Sequence, residues 1–236
     1  MQHGIFETIA VHHGHPVFPE CHLNRLEYAM KELNITAAYD RNTALCEIFR
    51  RAEGKDQIAI KVLLNKNGLS YSQRENPYKT MNYNQGFTVC LSEKNMNETD
   101  PLCYCKSTNR AIPDEEKQKA IQNGCHEVIF TNQKGHITEG AVSNIFCIKK
   151  GEIFTPSVSS GLLDGIMRRF LISIHGNTVK ETILTKEDLL CADEIFLTNS
   201  LMGIMPICSF EGKRYLTGGK ATQLSEYYKT LLDTLR

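Results

Sequence analysis

Residues 126–146 read HEVIFTNQKGHITEGAVSNIF. The first seven residues are rich in β-branched and aromatic side chains and read as a strand, with Gln133-Lys134-Gly135 as a turn. Beyond the turn an apolar strand resumes at NIF. Glu139 stands between the two, where an unpaired carboxylate would be costly to bury, so it needs a cationic partner. Downstream, NIFCIKK and EIFTP flank a Lys150-Gly151 turn. A helix follows Asp164, VKETIL and EIFLTN read as strands, and the chain from Lys220 is helical.

Upstream the same mixture appears. Residues 5–11 are β-rich, HHGH is a turn, and Pro16 begins the return of a hairpin. From Glu20 the residues Leu23, Leu26, Met30 and Leu33 recur at helical spacing, with His22, Asn24, Arg25 and Glu27 off that stripe. A second helix fits residues 43–52 and ends at Gly54. IAIKVLLN reads as a buried strand turning at Asn67-Gly68 into LSYSQ, and GFTVCLS is a further strand. The polar stretch of residues 93–101, EKNMNETDP, has no periodicity and reads as an interdomain linker. The expected class is α+β, with a smaller α/β domain over residues 1–95 and a larger one over 96–236.

Lys plus Arg and Asp plus Glu both number 27, giving zero net charge, and 41% of residues are hydrophobic. Nothing electrostatic recommends nucleic acid or an anionic membrane as a partner, so small-molecule chemistry is favoured. No stretch approaches the roughly 20 apolar residues of a membrane span, and MQHGIFETIAVHHGH lacks the pattern of a secretory leader, so a cytoplasmic location is expected. The nine cysteines lack the paired spacing of a disulfide framework or zinc site and read as reduced thiols. On a strand Cys103 and Cys105 would share a face and pack. His12, His13 and His15 sit in a Gly-containing turn with no acidic or Cys partner near them in the sequence. They read as a solvated hairpin tip, and no metal is expected.

Lys106 ends an apolar strand, LCYC, in YCKSTNR. A lysine where a sheet meets a site is desolvated and has the lowered pKa that Schiff-base chemistry requires, although an ordinary solvated cation fits the same segment. Three features suit a phosphate: Arg25, the helix opening GLLDGIMRR, and the hydroxyls of LTNSLMG. Singly each has a plainer reading, Arg25 as an exposed helix residue and Thr198 or Ser200 as a cap.

As an ordered set, GIFETI, HLNRL, KSTNR, EVIFTNQKGHITEGAVSNIF, IFTPSVSSGLLDGIMRR and ADEIFLTNSLMGIMPI resemble the fold-type IV enzymes of pyridoxal 5'-phosphate (PLP), the class-IV aminotransferase family. The resemblance spans nearly the whole chain. It implies a D-amino acid aminotransferase-like fold with a β-barrel-like C-terminal domain, a PLP cofactor and a homodimer. Lys106 would carry the cofactor as a Schiff base and Glu139 would sit on the pyridine nitrogen. Arg25, Asn144, Ile166, Met167 and Ser200 would complete the cofactor site. Thr8 and Asn199 resemble the 4-amino-4-deoxychorismate lyases, which make 4-aminobenzoate and pyruvate for folate synthesis. Thr8 would then move a proton and Asn199 would face substrate. An aminotransferase of D-amino or branched-chain amino acids, or a non-catalytic PLP-binding homologue, are the alternatives. The chain departs from the usual members at its start, where His3 takes the place of an acidic residue. It also has Leu69 where the lyases place a carboxylate-binding Arg, which makes Arg74 or a partner-subunit residue the substitute.

Overall fold

The computed structural model describes residues 4–234, so His3 lies outside the described residues. The chain forms two compact units.

In the first unit, β1 (Ile5–His12) and β2 (His15–Pro16) make the expected hairpin around His13 and Gly14, whose φ angles are 48° and 82°. Helix α1 (Pro19–Glu32) opens on a proline, which costs nothing where the amide lacks a helical partner. Helix α2 (Arg41–Ala52) is capped by Asp40, which accepts from the Thr43 amide at 2.7 Å. Strands β3 (Ile58–Asn65) and β4 (Gly68–Glu75) complete an antiparallel sheet of order β2-β1-β3-β4. Period-two alternation puts Ile5, Ile9, Val11, Ile60, Val62 and Leu64 on one face. They pack there against Leu23, Leu26, Ala29, Ala44 and Ile48 of the two helices. The other face carries Phe6, Thr8 and Ala10 beside Leu63, Lys61 and Ala59.

The second unit is built on β5 (Phe87–Met96), α3 (Ala111–Gln122), β6 (Glu127–Asn132), β7 (Ile137–Gly140), β8 (Asn144–Lys149), β9 (Glu152–Pro156), α4 (Ile166–His175), β10 (Val179–Thr182), α5 (Lys186–Leu190), β11 (Glu194–Asn199), β12 (Gly203–Phe210), β13 (Lys213–Arg214) and most of α6 (Lys220–Asp233). Its mixed sheet runs β10-β9-β8-β11-β12-β5-β6-β7, with β13 beside β12. The sheet curls, because β7 also comes against β8 and β9, giving the barrel-like form expected. Among the described residues no helix is long and apolar enough to cross a membrane.

Two sequence expectations are corrected. The boundary at 95/96 falls inside β5, where Asn95 and Met96 pair with Thr131 and Asn132 of β6. The supposed linker begins as strand because backbone pairing, indifferent to its polar side chains, continues the ladder. The first unit instead runs to Met81, takes in Cys105–Asn109 and resumes at Tyr228, while the second holds Asn82–Tyr104 and Arg110–Tyr227. The run before Lys106 is also not a strand: Pro101–Tyr104 is a single 3-10 turn. Cys103 and Cys105 therefore do not share a strand face. The Cys103 thiol donates to the Asn97 carbonyl, and Cys105 is buried.

Candidate active site

Lys106 is placed by backbone bonding along the edge of β1. The Phe6 amide donates to the Lys106 carbonyl at 2.9 Å, the Thr108 amide donates to Gly4, and Ile5 bridges Ser107. Cys105, buried in the first unit's core, anchors the segment. The Lys106 ammonium lies 4.9 Å from the centroid of the Phe6 ring, whose π face attracts a cation. Thr8 follows two residues after Phe6 on the same face.

That face holds a residue the sequence reading passed over. Lys61 pairs with Thr8 across β1 and β3, and its ammonium lies 4.7 Å from the same Phe6 ring. On β4, Ser72 pairs with Lys61 and Arg74 with Ala59, so Arg74 shares this side. Leu69 does not. It pairs with Leu64 and packs against the core on the helix side, so a one-residue alternation removes it from the face that bears Lys106. IAIKVLLN had read as wholly buried, which hid the outward register of Lys61.

Arg25 is likewise not an exposed helix residue, and His22 is not off the buried stripe of α1. Both are buried because Glu7, fully buried on the helix side of β1, requires them. Arg25 Nε and Nη2 each donate to the Glu7 carboxylate at 2.7 Å, and His22 Nδ1 donates to it at 2.6 Å. Burial alone would raise the Glu7 carboxyl, but the charges of Arg25 and His22 and their hydrogen bonds overcome it. The carboxyl is held far below the usual range. Burial lowers the His22 pKa against the opposing pull of Glu7, and the charges of Arg25 and Lys106 lower it further. Alternation along β1 carried the signal for Glu7, a charged residue in register with Ile5, Ile9 and Val11.

In the second unit Glu139 lies on β7, half-buried. Its carboxylate accepts from Asn144 Nδ2 and from the Leu163 amide, both at 3.1 Å, and Asn144 Nδ2 also donates to the Leu163 carbonyl at 2.8 Å. These two amide donors fix the direction of the carboxylate. Asn144 acts through Glu139. Its Oδ1 stands so close to Gly165 that any Cβ there would collide with it.

Gly165 is the N-cap of α4 and supplies no side-chain cap, so Ile166 and Met167 occupy the first turn as expected. On the neighbouring strand Thr198 pairs with Asn144 and points to the same face. Its hydroxyl is fully buried, with no hydrogen-bond partner among the described residues. An orphan buried hydroxyl is rare. Together with an uncapped helix start it fits an anionic group such as a phosphate. Ser200 lies in the half-buried turn after β11. Asn199 closes that turn, its Oδ1 accepting from the Leu201 and Met202 amides at 3.0 and 2.8 Å, so its oxygen is committed to the backbone.

A four-stranded sheet covered by two helices and a curled mixed sheet are the two parts of the fold-type IV architecture. The Amino-transferase class IV family model matches residues 4–210, and the chain belongs to that family. Among its relatives is the aminodeoxychorismate lyase of Bacillus subtilis, 28% identical over 93% of this chain and 82% of the relative. The D-alanine aminotransferase of Bacillus licheniformis is 26% identical over 91% and 81%. A Legionella pneumophila crystal structure, provisionally a 4-amino-4-deoxychorismate lyase, superposes with a TM-score of 0.88 at 25% identity, covering 96% of this chain and 90% of that one.

Proposed function

We propose that the chain is a PLP-dependent lyase that converts 4-amino-4-deoxychorismate to 4-aminobenzoate and pyruvate, as a cytoplasmic homodimer serving folate synthesis. The observation that carries the reading is the face of β1 and β3 on which Thr8, Lys61 and Arg74 accompany Lys106. The substrate has two carboxylates, and one cation beside the reactive lysine with a second further along the same sheet face suits it.

The orphan Thr198 hydroxyl, the amides of Ile166 and Met167 and Ser200 would hold the cofactor's phosphate. Glu139 would pair with its pyridine nitrogen. When bound, PLP acts as a sink for the electron pair released at the amino-bearing carbon. The Lys106 amine takes the proton from that carbon. The adjacent C–O bond then breaks, the enolpyruvyl group leaves and gains a proton to become pyruvate, and the ring aromatises; atoms balance without added water. Thr8, on the Lys106 face, is placed to relay that proton. Lys61 and Arg74 hold the carboxylates.

The test supplies aminodeoxychorismate and follows 4-aminobenzoate and pyruvate, alongside D-alanine or branched-chain amino acids with 2-oxoglutarate. Keto-acid turnover without 4-aminobenzoate would replace this reading with an aminotransferase. Borohydride should fix the cofactor to Lys106, and a Lys106→Ala protein that keeps the cofactor absorbance unchanged would remove PLP chemistry altogether.

A further inference from the structure

The fold brings to the hairpin tip of β1 and β2 the acidic groups that its sequence neighbourhood lacks. Asp233, the last residue of α6, places Oδ1 2.9 Å from His12 Nε2 and 3.7 Å from His13 Nε2. One ligating atom from each of the three residues falls within a 4.8 Å span. We infer that His12, His13 and Asp233 form a binding site for a divalent transition ion of the zinc type.

Three features of the cluster argue for it. Consecutive residues of an extended strand point to opposite sides, but the left-handed backbone of His13 (φ 48°) turns its ring beside that of His12, with centroids 4.2 Å apart. A polar side chain also stands near each Nδ1, and a small rotation would bring an acceptor up to it. Asp56 Oδ2 lies 3.7 Å from His13 Nδ1, while the Asp56 Oδ1 accepts from the His13 amide at 2.8 Å. The Gln57 side-chain amide lies 3.3 Å from His12 Nδ1, and turned over it offers its oxygen to an Nδ1 proton. An acceptor behind Nδ1 is the arrangement that fixes the tautomer of a metal-bound imidazole and leaves Nε2 for the metal. Finally, ligands about 2.0–2.1 Å from a tetrahedral zinc stand about 3.3 Å from one another, and 2.9 and 3.7 Å bracket that spacing. Two imidazoles and a carboxylate are the donor set of zinc and its neighbours rather than of calcium or magnesium. With its His12 ring mostly covered and Asp233 more than half exposed, the site has a protein side and a water side, and the metal would clip the end of α6 to the hairpin.

The test is a zinc titration of the cofactor-loaded protein by calorimetry, in wild type, His13→Asn and Asp233→Asn. Asparagine tolerates the left-handed backbone of position 13, so the first variant removes the imidazole and keeps the turn. Wild type should bind one ion at this site, and each variant should weaken it at least about tenfold. Cobalt in place of zinc should show d–d absorption without thiolate charge transfer, which separates this site from the nine cysteines. Wild-type zinc affinity in either variant, or a wild type that binds metal through thiolates alone, overturns the inference.

Discussion

Replacing Glu7 by Gln keeps the shape of a buried side chain but removes the charge that three hydrogen bonds of 2.6–2.7 Å serve. Arg25, only 5% exposed, is then a buried cation without its counter-ion. Breaking such a pair costs about 3–5 kcal/mol, and because Gln can still accept one of the bonds the lower end, about 3 kcal/mol, is expected. For a chain of this size that lowers the thermal midpoint by about 6–12 °C. The pH dependence supplies a second readout. The folded carboxyl lies far below its ordinary 4.5, so its stabilisation is complete above pH 4.5 and drains away as pH falls below that value. In that window the unfolded chain binds one more proton than the folded one, a slope of about 1.4 kcal/mol per pH unit. Glu7→Gln should lose that increment of slope. The assay is urea unfolding of protein without added cofactor, from pH 7 to pH 3, with Arg25→Met and the double variant closing the cycle. Deleting both charges should cost less than the two single losses summed. A Glu7→Gln protein within about 0.5 kcal/mol of wild type at pH 7, or an unchanged acid slope, would refute the account of this cluster.

Asn144→Asp sets a second carboxylate beside Glu139 and should weaken cofactor binding by at least about tenfold in an absorbance titration, with secondary structure intact. Lys61→Leu or Arg74→Leu should raise KM for aminodeoxychorismate more than it lowers kcat, whereas Leu69→Arg should not restore carboxylate binding, because that position faces the helices. Gly161→Ala should cost about 3 kcal/mol in urea unfolding, since φ is 91° and a Cβ would lie 2.7 Å from the Glu98 Cα.

What the sequence made legible follows from what kind of pattern each feature leaves. Hairpin, helices and most strands were readable, because they rest on local periodicity and on turns such as Asn67-Gly68. Lys106 and Glu139 were singled out as members of an ordered set. Their holders were not: a 3-10 turn and a buried Cys105 place the lysine, and two amides from separate segments place the carboxylate. Leu69 and Lys61 were assigned without a register, and a strand's register is fixed by its partner rather than by its own residues. His12 and His13 lacked acidic company because Asp56 and Asp233 reach them only through the fold.

The five residues Cys105–Asn109 belong to a different compact unit from the residues on either side of them. The chain therefore crosses between units at 81/82, 104/105, 109/110 and 227/228, and no single cut yields an intact half. Neither unit is inheritable as a cassette: a gene fusion, a duplication or a laboratory truncation that takes one sheet takes fragments of the other. Lys106, proposed above as the reactive lysine, sits between two of these crossings, so recombination should exchange this architecture whole, and its diversity should arise by substitution within the existing frame.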